Sequence, residues 1–333
     1  MRRERFVKNV RLGLPLTFLF LLCLSSPASS LGQNYRPFAV QVPSTANKPP
    51  SPPNDAPQKR RFHIERDPMG EFRQDLTKTV LGELTPAFPE LPTVLNGQHG
   101  NKTESSQRVA FHLLDAAKDA PADQRPAILF AADLVASQLI CDKYGEKDAP
   151  KEAVDCAQLQ SGLARYHLTL KEDHLGGVFY YPRDLLWRIW RDYPTTSWGE
   201  RAFVLLLDHG WDTSATCEKG EDQTHEVIRE GESFLQNRPG SPYRAVVTLL
   251  VAEAYASWWS LSNETNGSDM SSYVDPKQFQ EGAEEARIKA IHYFEQLPQL
   301  APGTKLSEFA QQVLAPLREQ QVLDNYRFFC VYD

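Results

Sequence analysis

The sequence predicts an all-α chain whose helices pair into antiparallel hairpins stacked one upon another. Three observations predict it. Apolar residues recur at helical spacing from residue 107 onward. Three prolines, Pro194, Pro239 and Pro302, stand in matching apolar patterns. Each hairpin so defined is amphipathic and cannot bury its own apolar face, a need that stacking meets.

Taken in order, residues 1–30 have the three parts of a secretory signal. Arg2, Arg3, Arg5, Lys8 and Arg11 make a basic start, residues 12–24 an apolar run, and Ala28, Ser29 and Ser30 a small-residue exit. The apolar run is shorter than the roughly 20 residues a spanning helix needs, which favours cleavage over a retained anchor. No membrane span is then expected in the mature chain. Cys23 follows Leu22 rather than the small residue that lipid attachment requires.

Residues 31–61 are rich in proline with Ser, Asn and Gln between, and read as a disordered linker. Residues 62–106 hold apolar side chains but also Pro68, Pro86, Pro89 and Pro92. We expect irregular structure there with one short helix near 71–84. The helical repeat domain then occupies 107–333.

Within it, Phe111, Leu114 and Ala117 share one helix face, and Pro121 marks a turn. Pro126 suits the first turn of the next helix, where its missing N–H costs nothing. Leu129, Ala132, Val135, Ala136 and Leu139 carry that helix to about residue 143. A further helix is expected over 148–166. The stretch 167–181 loses helical periodicity, and Val178, Phe179, Tyr180 and Tyr181 favour extended backbone.

Aligned on Pro194, Pro239 and Pro302, the chain repeats. Five residues before stand Ile189, Phe234 and Leu297; four after, Trp198, Tyr243 and Leu306. Eight after stand Ala202, Val247 and Ala310; eleven after, Leu205, Leu250 and Val313; twelve after, Leu206, Val251 and Leu314. These later positions form one helix face, and the proline forces the turn before it. The hairpin at Pro121 departs from the pattern, with Arg125 at the fourth position and Asp133 at the twelfth.

The turns Tyr193-Pro194-Thr195-Thr196-Ser197-Trp198 and Arg238-Pro239-Gly240-Ser241-Pro242-Tyr243 resemble those of tetratricopeptide-like repeats in bacterial envelope proteins, such as outer-membrane assembly lipoproteins and periplasmic cell-division coordinators. The resemblance covers about 182–322 and implies a tetratricopeptide-like right-handed solenoid whose concave surface holds a protein or peptide partner. The spacings of 45 and 63 residues between prolines exceed the usual repeat of about 34, so polar inserts separate the hairpins.

Composition bounds the function. Hydrophobic content of 41% suits a globular chain, and a net charge of -7, more negative still once the basic leader is removed, disfavours nucleic acid as a partner. Four cysteines follow the leader, Cys141, Cys156, Cys217 and Cys330, an even number that suits an exported, disulfide-bonded chain. Three connectivities are possible. Helix-hairpin geometry favours Cys141–Cys156, which leaves Cys217–Cys330. Localisation in the periplasm or outside the cell follows from the leader.

The best binding candidates are Trp187, Arg188, Trp190 and Arg191, where two tryptophans three apart line one helix face beside two arginines. They would hold a sugar or an acidic peptide, unless the tryptophans serve the core. His209, Asp212 and His225 in the 208–226 insert could bind a metal and serve an envelope hydrolase or glycan-active enzyme, although their spacing matches no motif. His167 and His174 flank a glycine pair without a nucleophile nearby. No GxSxG, HExxH or phosphate loop is present, so no cofactor and no catalytic residue is expected. The expected function is an exported scaffold that binds a protein or peptide in the cell envelope.

Overall fold

The computed structural model describes residues 60–64, 67–96, 103–142, 156–173, 178–211, 221–263, 277–323 and 327–330. The leader, nearly all of the proline-rich segment, His174, Asp212 and Cys217 lie outside them.

The described residues are predominantly helical, as expected. They contain β1 (Arg61–Phe62), α1 (Gly70–Leu84), α2 (Leu91–Leu95), α3 (Thr103–Asp119), α4 (Arg125–Ala136), β2 (Ile140–Asp142), α5 (Cys156–Ala164), β3 (Lys171–Asp173) and β4 (Val178–Tyr180). These are followed by α6 (Asp184–Asp192), α7 (Ser197–Asp208), β5 (Glu221–Asp222), α8 (Thr224–Asn237), α9 (Arg244–Leu261), α10 (Lys277–Gln280), α11 (Ala283–Leu300), α12 (Lys305–Arg318), β6 (Val322–Leu323) and β7 (Phe329–Cys330). No helix among the described residues is long and apolar enough to cross a membrane.

The three prolines sit between α6 and α7, α8 and α9, and α11 and α12. Every residue of the repeated pattern is buried except Tyr243 and Leu306, which are half-buried. The helices that follow the turns form the interior. In α9, 15 of 18 residues are buried, so the helix is enclosed on all sides by α7, α8, α11 and α12. The earlier helix α4 is enclosed in the same way, between α1, α3, α6 and α7.

Each turn has the same chemistry two residues after its proline. Thr196 Oγ1 accepts the Gly199 N–H at 3.0 Å and Thr304 Oγ1 accepts that of Ser307 at 3.5 Å, each capping the next helix. Ser241 occupies the equivalent place and accepts the Tyr243 N–H at 3.1 Å. It also donates to Glu200 Oε2 at 2.8 Å, while Arg238 Nη1 donates to Oε1 at 3.0 Å. One hairpin's second helix thereby holds the turn of the next. Trp190 completes that seam, lying 4.7 Å from the Phe203 ring and 6.4 Å from Phe234, with the Arg238 guanidinium 5.0 Å over its face.

Several elements differ from expectation. Residues 62–106 carry the expected helix, α1, but also α2, and Leu76, Val80, Leu91 and Val94 of the two are buried in the common core. The four prolines there fall in turns and in the first turn of α2, where they are compatible with helix. The helix after Pro121 ends at Ala136 rather than near 143, because Ile140, Cys141 and Asp142 pair antiparallel with Tyr180, Phe179 and Val178. Lys171, Glu172 and Asp173 pair with the other edge of β4, giving a three-stranded sheet in order β2-β4-β3. Cys141 and Cys156 stand at disulfide distance, with Cα atoms 5.5 Å apart. They join that sheet to the first residue of α5, not two facing helices. The Pro121 hairpin keeps the burial register despite its polar residues: Leu129, Ala132 and Asp133 are all buried.

At the C-terminus, β7 pairs with β5, setting Cys330 opposite Glu221. Phe328, just before β7, is buried in the core. The Cys217–Cys330 bridge lies outside the described residues.

The turn chemistry predicts graded losses of stability in urea denaturation. Thr196→Ala should cost about 1 kcal/mol through the lost cap. Gly199→Ala should cost about 2 kcal/mol or more, because its new Cβ would fall 2.0 Å from the Tyr193 carbonyl oxygen. Gly240→Ala, with open space around it, should stay within about 0.5 kcal/mol of wild type.

Candidate functional site

Two polar assemblies stand out from this apolar body. The first is buried. Asp208, the last residue of α7, has no exposed side-chain surface. Arg73 from α1 grips it with two bonds, Nε to Oδ2 at 2.7 Å and Nη2 to Oδ1 at 2.9 Å. Arg327 from the C-terminal segment also donates to Oδ1, and its Nη1 reaches Glu253 Oε2 on α9 at 2.8 Å. Arg73 continues outward to Asp67 at 2.5 Å. Alongside, Asp133 on α4 accepts from Tyr181 Oη at 3.1 Å and Arg183 Nε at 2.7 Å. The Tyr181 hydroxyl accepts the Leu185 N–H and so caps α6. Arg183 holds a left-handed backbone, φ 63°, to reach Asp133.

These environments separate the carboxyl groups. Burial raises the Asp208 pKa, but the Arg73 hydrogen bond and the Arg327 and Arg73 charges outweigh it and leave the group below its usual range. Glu253 is also buried, and there burial prevails over Arg327, raising its pKa to about 7. Burial likewise raises Asp133 despite Arg183 and Tyr181. His209 keeps an accessible edge, yet the groups crowded around it strip its hydration and Arg183 repels its proton. Its pKa falls to about 4, so the ring is neutral near pH 7.

The second assembly is open to solvent: a cleft of about 410 Å³ where the ends of α3, α5 and α6 meet the start of α4. Leu114, Ala117 and Leu129 give it an apolar floor, and Lys118, Arg125, Arg165 and Arg188 supply four cations. Lys118 pairs with Asp115 at 2.8 Å. Arg125 Nη2 donates to the Ala120 carbonyl at 2.8 Å and Arg188 Nη2 to that of Tyr166 at 3.0 Å, both neutral acceptors, while Asp184 lies in the field of Arg188. Arg165 stands 5.7 Å over the Tyr166 ring.

The sequence candidates are distributed among these places. Arg188 lines the cleft, and Arg191 is exposed beside it with Nε 2.8 Å from Asp192 Oδ1. Trp187 and Trp190 are half-buried and belong to an aromatic cluster, Trp187 lying 4.7 Å from the Trp211 ring. His167 lines the cleft. His209 lies by Arg183, whose Nη1 is 3.4 Å from its Nε2, and exposed His225 packs 4.3 Å from Trp258. Among the described residues no three His, Cys, Asp or Glu side chains gather in a way that would hold a metal.

Beyond Arg188, His167 and His209, the sequence candidates include no member of either assembly, though one signal is present. Asp133 and Glu253 interrupt runs that are apolar on every helix face, AILFAADLVA and VVTLLVAEAYA, and a charge in such a run requires a buried partner. Nothing comparable points from Arg125 or Arg165 to the cleft, because charged residues at helix ends are usual on any surface.

Glu253 sets a pH signature. Its folded pKa lies above the ordinary value, so its contribution is fully present below about pH 4.5 and is lost as pH rises toward 7. His209, depressed, contributes oppositely, losing stability as pH falls from 6.5 toward 4. The stability difference between wild type and Glu253→Gln isolates the first. That difference should fall with rising pH between about 4.5 and 7 by a few kcal/mol, and be flat above, in urea titrations across pH.

Comparison of the chain with models of known families, with curated proteins and with solved structures finds no match.

Proposed function

We propose that the chain is an exported helical-repeat scaffold that holds a protein or peptide partner in the cell envelope, its hairpins stacked as a tetratricopeptide-like right-handed solenoid. The observation that carries the reading is the open cationic cleft at the ends of α3, α5 and α6. It combines an apolar floor with fixed charges, which is the composition of a recognition site. Among the described residues only Ile288 and Leu300 are large exposed hydrophobic side chains. Recognition by charge in a cleft suits that surface better than docking of a broad apolar face.

Two further features support the reading. The turns repeat a hydroxyl that accepts a backbone N–H as well as their prolines, as successive units of one array do. The leader and the cysteine pair at disulfide distance suit the periplasm or the extracellular space.

A photo-reactive benzoylphenylalanine at Arg191, on the cleft rim, tests this in intact cells. A discrete polypeptide cross-linked from Arg191, and not from Ile288 on α11, is the expected result. No cross-link from Arg191 or from a second rim position, Asp192, in cells that export the protein would overturn the scaffold reading.

A further inference from the structure

We infer that the cleft recognises carboxylates, and that its ligand is an acidic peptide segment; the inference rests on the scaffold reading of the same site. Three guanidinium groups, Arg125, Arg165 and Arg188, line one cavity, and none is in an ion pair within 4 Å among the described residues. They come from three elements of a chain whose net charge is -7. Like charges held together in an acidic protein raise its free energy unless an anion joins them. The Nε of Arg125 is buried without a hydrogen-bond partner, so a donor at the cleft wall remains to be satisfied.

The anions already present meet this need only in part: Asp115 lies in the field of Arg165 and Asp184 in that of Arg188, neither as a salt bridge. Asp115 is engaged by Lys118 at 2.8 Å, and Asp192, the one carboxylate lining the cleft, is engaged by Arg191 at 2.8 Å. Arg125 and Arg188 each spend a donor on a carbonyl, which removes no charge. A guanidinium has five N–H donors, so both retain the capacity for a carboxylate.

The shape of the site distinguishes a peptide from a compact phosphate. Phosphate sites favour the N-terminal ends of helices, where N–H groups converge. This cleft gathers the C-terminal ends of α3, α5 and α6, whose carbonyls repel a concentrated charge, against the one N-terminal end of α4, which begins at Arg125. Arginines spread over three elements suit carboxylates spaced along a chain. Leu114, Ala117 and Leu129 would take the aliphatic stems between them.

The test is fluorescence anisotropy with the purified full chain and a labelled hexaglutamate peptide, acetylated and amidated so that only side-chain carboxylates remain. Hexaglutamine is the neutral control. Hexaglutamate should bind at low salt, weaken as salt rises, and lose about tenfold in affinity in Arg165→Gln and in Arg188→Gln. Arg165 lies over the Tyr166 ring and in the field of Asp115 and gives up no hydrogen bond to the backbone among the described residues, so Arg165→Gln should keep the wild-type melting temperature and remain informative if Arg188→Gln, which frees the Tyr166 carbonyl, unfolds. Equal binding of hexaglutamine, or hexaglutamate binding unchanged in Arg165→Gln, would overturn the inference. So would absence of binding up to about 1 mM peptide. Displacement of the peptide by an equal concentration of inorganic phosphate would overturn it in favour of a compact oxyanion. A partner cross-linked from Arg191 together with no hexaglutamate binding would leave the scaffold standing and remove only the carboxylate assignment.

Discussion

A charged group with no exposed surface constrains this structure more than any other feature. Asp208 closes α7, and the C-terminal end of a helix already carries partial negative charge. A carboxylate buried there is unfavourable twice over, by lost hydration and by the helix dipole. Two guanidinium groups compensate it, brought from 135 residues earlier and 119 residues later in the chain. Arg327 in turn leaves a charge to be balanced on the α9 side, and Glu253 meets it at 2.8 Å. The requirement to neutralise one carboxylate thus draws α1, α7, α9 and the C-terminal segment to a common point. Such a network adds little net stability over an apolar core, but losing one member costs about 3–5 kcal/mol. It acts as a specification of arrangement: only one register of these four segments brings every charge to its partner.

The apolar framework around that point follows a simpler rule. A proline ends one helix, a hydroxyl two residues later accepts a backbone N–H and in two of the three turns caps the next helix, and the residues at the eighth, eleventh and twelfth places enter the core. The aromatic fourth position turns toward earlier elements: Trp198 lies 5.0 Å from Phe130 of α4, and Tyr243 lies 6.1 Å from Phe72 of α1. Glu200 supplies directionality between neighbouring hairpins, because it accepts from both Arg238 and Ser241 of the following turn. Packing and polar contacts here specify the same neighbour, which favours a single arrangement.

The framework was legible in the sequence because it is local. Periodicity, prolines and the size of side chains at fixed offsets are properties of short windows. The hydroxyl at Thr196, Ser241 and Thr304 was equally visible as a residue type, but its bond to the backbone, a helix cap at Thr196 and Thr304, emerges only with the turn folded. What the sequence concealed is nonlocal. The pairing of Ile140–Asp142 with Val178–Tyr180 ends α4 early, and it depends on a strand 38 residues away rather than on any helix-stop residue. The proline count in 62–106 argued for irregular structure around one helix near 71–84, although a proline in the first turn of a helix also permits α2. Trp187 and Trp190 illustrate the converse. A helix face rich in tryptophan is the same pattern whether it meets a ligand or the Trp211, Phe203 and Phe234 rings, and here both lie against those rings.

The same nonlocality shapes the cleft. Arg165, Tyr166 and His167 reach it from the end of α5, a helix of nine residues. A helix that short is marginal on its own propensity and depends on its anchoring. Leu159 and Leu163 are buried, Gly162 allows the Phe111 ring of α3 to approach closely, and Cys156 stands at disulfide distance from Cys141 on β2. A bond at that position holds the start of α5 while Tyr166, stacked 5.8 Å from Phe111, holds its end. The positions of the cationic side chains are therefore inherited from two contacts at opposite ends of one helix, each to an element distant in sequence. An oxidising compartment, where cysteine bridges persist, is the setting in which that wall of the cleft is best defined.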